Sequence, residues 1–330
     1  MAAGQVGAMR RYDEGRERRA RGDLDGAARS FLDAIAADSL LFSAGQALAE
    51  TIAAEVRAGS ASVAPAFPLP PAVPSISVVI CSNRPERFAR AAATYRRALD
   101  GTQHEIVGVH DARSLCEGYN RGIAASRGEA LVLSHDDVDL LAPDFAARFV
   151  EALANFDVVG PVGATQLTGP AWGWAGHPHV HGWIAHRPGG TGDWRAAFWS
   201  PWPRVADAVV LDGAFIAARR SVFDAVRFDE ATFDGFHCYD VDFTWRASRA
   251  GLRVGVCGDL ALVHESVGAF DAKWRAYAER FVAKVPEANG PQRPSHRYEV
   301  ALGSAALALA FFRRLEHLAL AKLAQAGAPA

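Results

Sequence analysis

The sequence predicts an α/β fold, a mostly parallel sheet sandwiched by helices and preceded by a small N-terminal helical segment. Three observations carry this. From residue 75 onward, short β-branched runs alternate with helix-length amphipathic stretches, the pattern of a parallel sheet with right-handed crossovers. Polar and acidic residues collect just after those runs, where ligands bind on such sheets. Before residue 59, Ala, Arg, Glu and Leu dominate, and apolar residues recur at helical spacing.

Composition narrows the class. The 330 residues suffice for one large core plus a small accessory unit, and 50% hydrophobic with 22% charged residues is ordinary for a globular chain. A formal charge of −2 offers no basic surface, so nucleic acid is not an expected partner. Cys81, Cys116, Cys238 and Cys257 show no CxxC spacing and read as reduced, mostly buried thiols. The N-terminus has no apolar core of signal-peptide length, and no apolar run reaches the roughly 18 residues of a membrane span. The nearest, residues 301–310 followed by Phe311 and Phe312, is too short. A cytoplasmic protein is the expectation.

The elements follow in order. Residues 1–58 are expected to be helical. Within them GDLDGAARSFLDAIAADS, residues 22–39, resembles half a tetratricopeptide repeat, with Ala27, Phe31 and Ala34 as its packing stripe. Solenoids need about three repeats and one is visible, so a helical hairpin docked on the main domain is the simpler reading. A protein partner on these helices is the other possibility. Five prolines between residues 59 and 75 forbid helix and central strand, which makes residues 59–74 a linker. The main domain is expected over residues 75–285.

SISVVICS, residues 75–82, reads as a buried parallel strand. ERFARAAATYRRAL is then a helix, HEIVGVH a second strand, residues 114–127 a helix, EALVLSH a third strand, PDFAARFVEALAN a helix and FDVVGPVG a further strand. The pattern breaks after residue 164. Residues 165–208 hold six of the eight tryptophans and four of the eleven histidines among many Gly and Pro, and read as a long irregular insertion. Trp172, Trp174, Trp183, Trp194, Trp199 and Trp202 are too many for a solvated loop, so either a hydrophobic lid or an acceptor platform is expected there. Regular structure resumes at AVVLDGAFIAARRSVFDAV. Residues 286–330 form a tail whose stretch 298–324 reads as an amphipathic helix.

Three constellations point to chemistry. In SHDDVD, residues 134–139, acidic groups crowd the end of an apolar strand. Unpaired carboxylates repel, so a cation is the simplest occupant, and Mg²⁺ or Mn²⁺ takes one or two carboxylates while bridging phosphates. The alternative is a solvated acidic helix start near Pro143 and Asp144. In YDVDFTWR, Asp240 and Asp242 open an apolar-periodic helix that either could simply cap. In ALVHES, His264 follows a strand end; alone it reads as a structural residue.

The order of these motifs resembles the inverting family 2 glycosyltransferases, of nucleotide-diphospho-sugar transferase (GT-A) fold, over residues 75–270. The resemblance implies that CSNRPER touches the nucleoside through Ser82, Asn83 and Arg84. It implies that Asp111 lies near the base, that Asn120 and Gly122 belong to a helix-opening segment of which Asn120 binds the nucleotide, and that Asp136 lies near the ribose. His135, Asp136 and Asp137 align with the Asp-x-Asp metal motif, and His264 with a histidine that helps to hold the metal. LDGAFIAARRSVF aligns with a Gly-bearing acceptor segment, and YDVDFTWR with the acidic pair that supplies the general base, Asp240, with Asp242 in reserve. The implied cofactors are Mn²⁺ or Mg²⁺ and a nucleotide-diphosphate sugar, UDP being the family's commonest nucleotide. The partner is an unknown sugar or protein acceptor.

The chain departs from the pattern in two places. His135 replaces the first Asp of the metal motif, so Asp137 must carry most of the metal contact, and Tyr239 stands where the family usually has Glu. No Gln-x-x-Arg-Trp motif is present, which argues against a processive synthase. An active, non-processive transferase is expected, and a catalytically inactive sugar- or protein-binding module is the alternative.

Overall fold

A computed structural model describes residues 3–188, 194–266, 268 and 270–327. Three helices come first: α1 (Ala3–Ala20), α2 (Leu24–Ala37) and α3 (Phe42–Ala58). The Asp23 side chain caps α2 by accepting the Gly26 N–H at 2.9 Å, and Gly59, at φ 68°, ends α3 in the left-handed conformation. The first βα units follow as expected: β1 (Ile76–Cys81), α4 (Pro85–Ala98), β2 (His104–Val109), α5 (Leu115–Ala125) and β3 (Ala130–Ser134). Pro85 opens α4, where its fixed φ suits the first turn, and Ser114 caps α5 through the Glu117 N–H. Next come β4 (Val138–Leu140), α6 (Phe145–Asn155), β5 (Val158–Gly160) and β6 (Val162–Ala164), the last two split by Pro161.

The stretch read as an irregular insertion contains three strands, β7 (Val180–His186), β8 (Trp194–Phe198) and β9 (Arg204–Ala208), joined by irregular segments. Residues 189–193 of it lie outside the described residues. β7 and β8 are mostly buried on both faces, so they lack the alternation that marks a strand in sequence. Trp183 is fully buried and stacks on Phe312 with ring centroids 6.1 Å apart, and Trp199 is also buried. Much of the tryptophan content is therefore core packing.

Then follow β10 (Val210–Leu211), β11 (Phe215–Arg219), α7 (Arg220–Ala225), α8 (Tyr239–Arg249), β12 (Val254–Cys257), β13 (Leu262–His264) and α9 (Ala272–Lys284). The tail is not helical from residue 298. Strand β14 (Tyr298–Leu302) pairs antiparallel with β8 before α10 (Ala305–Ala326) begins.

The strands form two mixed sheets of seven. The first runs β2-β1-β3-β11-β5-β12-β9, with β1 parallel to β2 and β3, and β5 parallel to β12. β11 runs antiparallel to β3 and β5, and β9 antiparallel to β12. The expectation of a mostly parallel sheet is corrected here, while the α/β class stands. β11 enters from a tight turn at residues 212–214 with no crossover helix, so it meets β3 head to tail. In the second sheet, β10-β6-β7-β13-β4 are joined by β8 and β14.

The N-terminal helices share a core with this second sheet: Phe31, Leu48 and Ile52 pack with Trp183, Phe198, Phe311 and Leu315. Arg314 of α10, fully buried, bonds Glu55 of α3 through two nitrogens at 2.8 and 2.9 Å. The proline-rich segment lies along α6 and α10: the Ala64 N–H bonds the Arg313 carbonyl and the Phe67 N–H bonds Asp144. No described helix is long and apolar enough to cross a membrane. All four cysteines are free thiols, three of them buried.

Candidate active site

The acidic motif sits in the turn between β3 and β4. β4 runs back antiparallel to β13, which sets His264 opposite Val138, one residue from Asp137. The Glu265 N–H donates to the Asp137 carbonyl at 3.1 Å, and the His135 N–H to the Ala214 carbonyl at 3.0 Å, so the turn is tied on both sides. His135, Asp137 and His264 thereby converge, each with a ligand atom within 4.8 Å of the others. Asp137 Oδ1 lies 3.3 Å from His264 Nε2 and 4.0 Å from His135 Nδ1.

Tyr239 decides which nitrogen of His135 faces this point. Its hydroxyl donates to the Gly213 carbonyl at 2.9 Å, so its oxygen accepts from His135 Nε2–H at 2.7 Å. Nδ1 is then the bare nitrogen, and it faces the Asp137 carboxylate. Two lone-pair-bearing atoms in that relation are relieved by a cation, and a ligand imidazole whose other nitrogen is fixed by a hydrogen bond is the usual arrangement at metal sites. Burial, followed by the nearby His264, holds the His135 imidazole below its ordinary pKa, which favours the neutral form that ligates. Burial opposes ionisation of Asp137, but the hydrogen bond and charge of His264 outweigh it and hold the carboxyl below its usual range. Two imidazoles and one carboxylate fit Mn²⁺ and other first-row ions. They fit Mg²⁺ less well, since it prefers oxygen.

Asp240 stands outside that triad, in the first turn of α8. Burial, and then the negative charge of Asp212, push its carboxyl up to about 7. Asp212 belongs to the turn before β11. Its Oδ1 accepts the Ala214 N–H at 2.9 Å, and its Oδ2 accepts the indole N–H of Trp172 at 3.0 Å. Gly213 beside it allows a close approach: a Cβ there would lie 2.2 Å from the Tyr239 oxygen and 2.8 Å from Asp240 Cβ.

On the other flank, Ser82 at the end of β1 donates to Asp136 Oδ2 at 2.6 Å, and Arg87 lies 3.6 Å from its Oδ1. Asn83 and Arg84 follow, both exposed. Asp111, beyond β2, is exposed and is held by Arg121 through both oxygens, at 2.8 and 3.3 Å. That hydrogen bond keeps its carboxyl below the usual range.

Two expected site residues do other work. Asn120 is buried in α5, and its amide is engaged at both ends, donating to the Phe228 carbonyl at 2.9 Å and accepting the Phe228 N–H at 3.2 Å. It pins the Phe228 backbone ahead of α8. Asp242 is 1% exposed, and its carboxylate is shared by Arg246 and Lys284. Buried and held by these two cations, Asp242 ties the start of α8 to α9.

Tyr239, Asp212 and Trp172 were not legible as site residues. Tyr239 read only as a departure from a motif, Asp212 as the neighbour of a glycine, and Trp172 as one of many tryptophans. Each acts through a contact between segments far apart in sequence.

Residues 77–285 match the Glycosyltransferase like family. Among solved structures the chain is similar to a mannosyltransferase from Pyrobaculum calidifontis in complex with GDP-Man and Mn²⁺. Identity is 12%, over 91% of this chain and 87% of that one, with a TM-score of 0.42. It is also similar to GalNAc-T7 with UDP, GalNAc and Mn²⁺, at 11% identity over 65% of this chain and 48% of that one, with a TM-score of 0.43. No curated protein matches the sequence. The family match takes in the β3–β4 turn, the start of α8 and the end of β13 alike, and the chain belongs to the glycosyltransferase-like family.

Proposed function

We propose that the chain is an inverting, metal-dependent glycosyltransferase that moves a sugar from a nucleotide-diphosphate sugar to an acceptor hydroxyl. The observation that carries this is Asp240, a carboxyl raised to about 7 beside, but outside, a His–Asp–His triad. When bound by His135 Nδ1, Asp137 and His264 Nε2, a cation such as Mn²⁺ would neutralise the negative charge that develops on the leaving nucleotide. Ser82, Asn83, Arg84 and Asp111 line the nucleoside side, and Asp136, oriented by Ser82, receives a ribose hydroxyl. The resemblance favours UDP as the nucleotide.

Asp240 takes the proton of the acceptor hydroxyl as that oxygen attacks the anomeric carbon, a role suited to a carboxylate whose pKa lies near working pH. Asp212 is the other carboxylate close by, and both its oxygens already accept hydrogen bonds. Asp240 is thus the carboxyl beside the triad that is raised toward neutral pH, which supports a single, inverting displacement. Aromatic side chains cluster at the start of α9, where Trp174 and Phe270 approach Trp274 with centroids 6.1 and 4.7 Å apart, and Phe236, ahead of α8, is exposed. They offer the acceptor a stacking surface. The free thiols support a reducing, cytoplasmic setting.

Mass-spectrometric detection of donor cleavage across a panel of nucleotide sugars with Mn²⁺ tests the reading. Wild type should cleave at least one donor and Asp240→Asn should not. Wild type that binds a donor but never cleaves it would instead be a recognition module.

A further inference from the structure

The segment between β6 and β7 makes two polar contacts around Asp240. Trp172, in a single helical turn over Trp172–Ala175, donates its indole N–H to Asp212 Oδ2 at 3.0 Å. Two residues earlier, the Pro170 carbonyl accepts the Cys238 thiol at 3.8 Å. Cys238 stands just before α8, and its φ of 61° is one that residues other than glycine seldom adopt. The same segment therefore holds the backbone that leads into Asp240 and the carboxylate that acts on it. Trp172 is itself braced: its ring meets Trp199 edge-on, with centroids 5.0 Å apart, and Trp199 is buried.

The indole N–H only donates, and in one direction. Together with the Ala214 N–H on Oδ1, at 2.9 Å, it fixes the plane of the Asp212 carboxylate. What is fixed in this way is a charge. The titratable groups around Asp240 are Asp212 in the turn before β11, Cys238 and Tyr239 at the start of α8, and Tyr119 of α5. Burial pushes both phenols and the thiol up, so these three stay neutral at physiological pH. Asp212 then supplies the charge that Asp240 meets, and that charge also reaches His135 and His264. Repulsion between two carboxylates depends on their separation, which a freely turning Asp212 would not keep.

We propose that Trp172 is a positioning residue for the transfer step, its indole N–H fixing the Asp212 carboxylate at the separation from Asp240 at which Asp240 serves as the base. The Trp-rich segment thereby sets the state of the base through Asp212. The proposal rests on the transferase reading for the role of Asp240, and on the Trp172–Asp212 bond for the linkage itself.

Carboxyl-carbon NMR of the full chain, titrated against pH without added metal, tests it; the Asp240 signal is the one lost in Asp240→Asn. In wild type that carboxyl should titrate at about 7. In Trp172→Phe, which keeps a ring beside Trp199, and in Asp212→Asn, the midpoint should move to lower pH by about 0.5 unit or more. In the double variant Trp172→Phe should add no further shift, because its effect runs through Asp212; independent effects would add. The Trp172 indole proton of wild type should follow the same midpoint, a readout that needs no variant to fold. Where a donor is cleaved, Trp172→Phe should lower kcat by about tenfold or more with donor KM unchanged, a smaller loss than removal of the base itself. A midpoint that Trp172→Phe leaves in place, or moves equally with and without Asp212, overturns the proposal. The full coupling in a chain that cleaves no donor would sustain the Trp172–Asp212–Asp240 linkage and sink the transferase reading; transfer without the coupling would do the reverse.

Discussion

Tyr239 occupies a position where the family usually carries glutamate, and its phenol performs a different task there, fixing the tautomer of His135. Tyr239→Phe keeps the ring and removes that bond. It should weaken Mn²⁺ binding about 10–100-fold with little change in melting temperature, as losses of such supporting groups do. Titration of Mn²⁺ by electron paramagnetic resonance checks it, and unchanged affinity would show that His135 needs no such orientation. Asp240 makes the complementary prediction. Asp240→Asn should lower transfer by about 10²–10⁴ while leaving donor binding intact. The sign of its pH dependence follows from the shift. A carboxyl raised from 3.8 to about 7 keeps its proton in the folded chain after the unfolded chain has lost it. Its contribution to stability therefore falls as pH rises from about 4 through 7, and transfer rises over the upper part of that window. Asp240→Asn should thus melt relatively higher than wild type at pH 8 than at pH 4, and a difference that does not vary with pH would refute the shift. In sequence, Asp137, Asp240 and His264 were visible because each ends or opens a regular element. The states of those groups were not visible, since burial and a partner such as Asp212 or Tyr239 set them.

The site is assembled by short elements. β13 has three residues, yet its pairing with β4 is what carries His264 to Asp137, and the turn at residues 212–214 holds Tyr239 and Asp240 together. Two glycine substitutions separate site from scaffold. Gly213→Ala would set a Cβ 2.2 Å from the Tyr239 oxygen, so Mn²⁺ affinity and transfer should both fall. Gly122→Ala would set a Cβ 2.2 Å from Val79 Cγ1, where α5 rests on β1. It should cost about 1–3 kcal/mol of stability, as overpacking does, with Mn²⁺ affinity unchanged. Denaturant melts and Mn²⁺ titrations on both variants check this, and a matching pair of outcomes would show that the two positions are not distinct. β1, β2 and β3 were legible as apolar β-branched runs between capped helices. The direction of β11 was not, because a strand buried on both faces reads alike whichever way it pairs. Strands β7 and β8 were hidden for a related reason: they are mostly buried without alternation.

At the scale of the molecule, charges that read as the polar face of a helix are interior. Arg148 of α6 is fully buried and meets Glu316 of α10 at 2.7 Å, Asp144 at 3.0 Å and Asp259 at 3.3 Å. Removing Arg148 leaves Glu316 buried and unpaired, while Asp144 keeps Arg313 and Asp259 keeps Arg204, so Arg148→Ala should destabilise the chain by about 3–5 kcal/mol in urea titration. A loss within the range of exposed pairs, below about 1 kcal/mol, would mean that this network does not hold α10 to the body. The sequence showed α10 as an amphipathic tail. Which of its charges are interior depends on α3, α6 and the proline-rich segment, all remote in the chain. In the proposed transferase, the His135–Asp137–His264 triad binds the cation that a nucleotide-diphosphate donor requires. Calorimetric titration of UDP and GDP into wild type and Asp137→Ala, with and without Mn²⁺, addresses it most directly. Wild type should bind one nucleotide diphosphate only with Mn²⁺ present, and Asp137→Ala should bind neither under any condition. Equal, Mn²⁺-dependent binding by both proteins would contradict it.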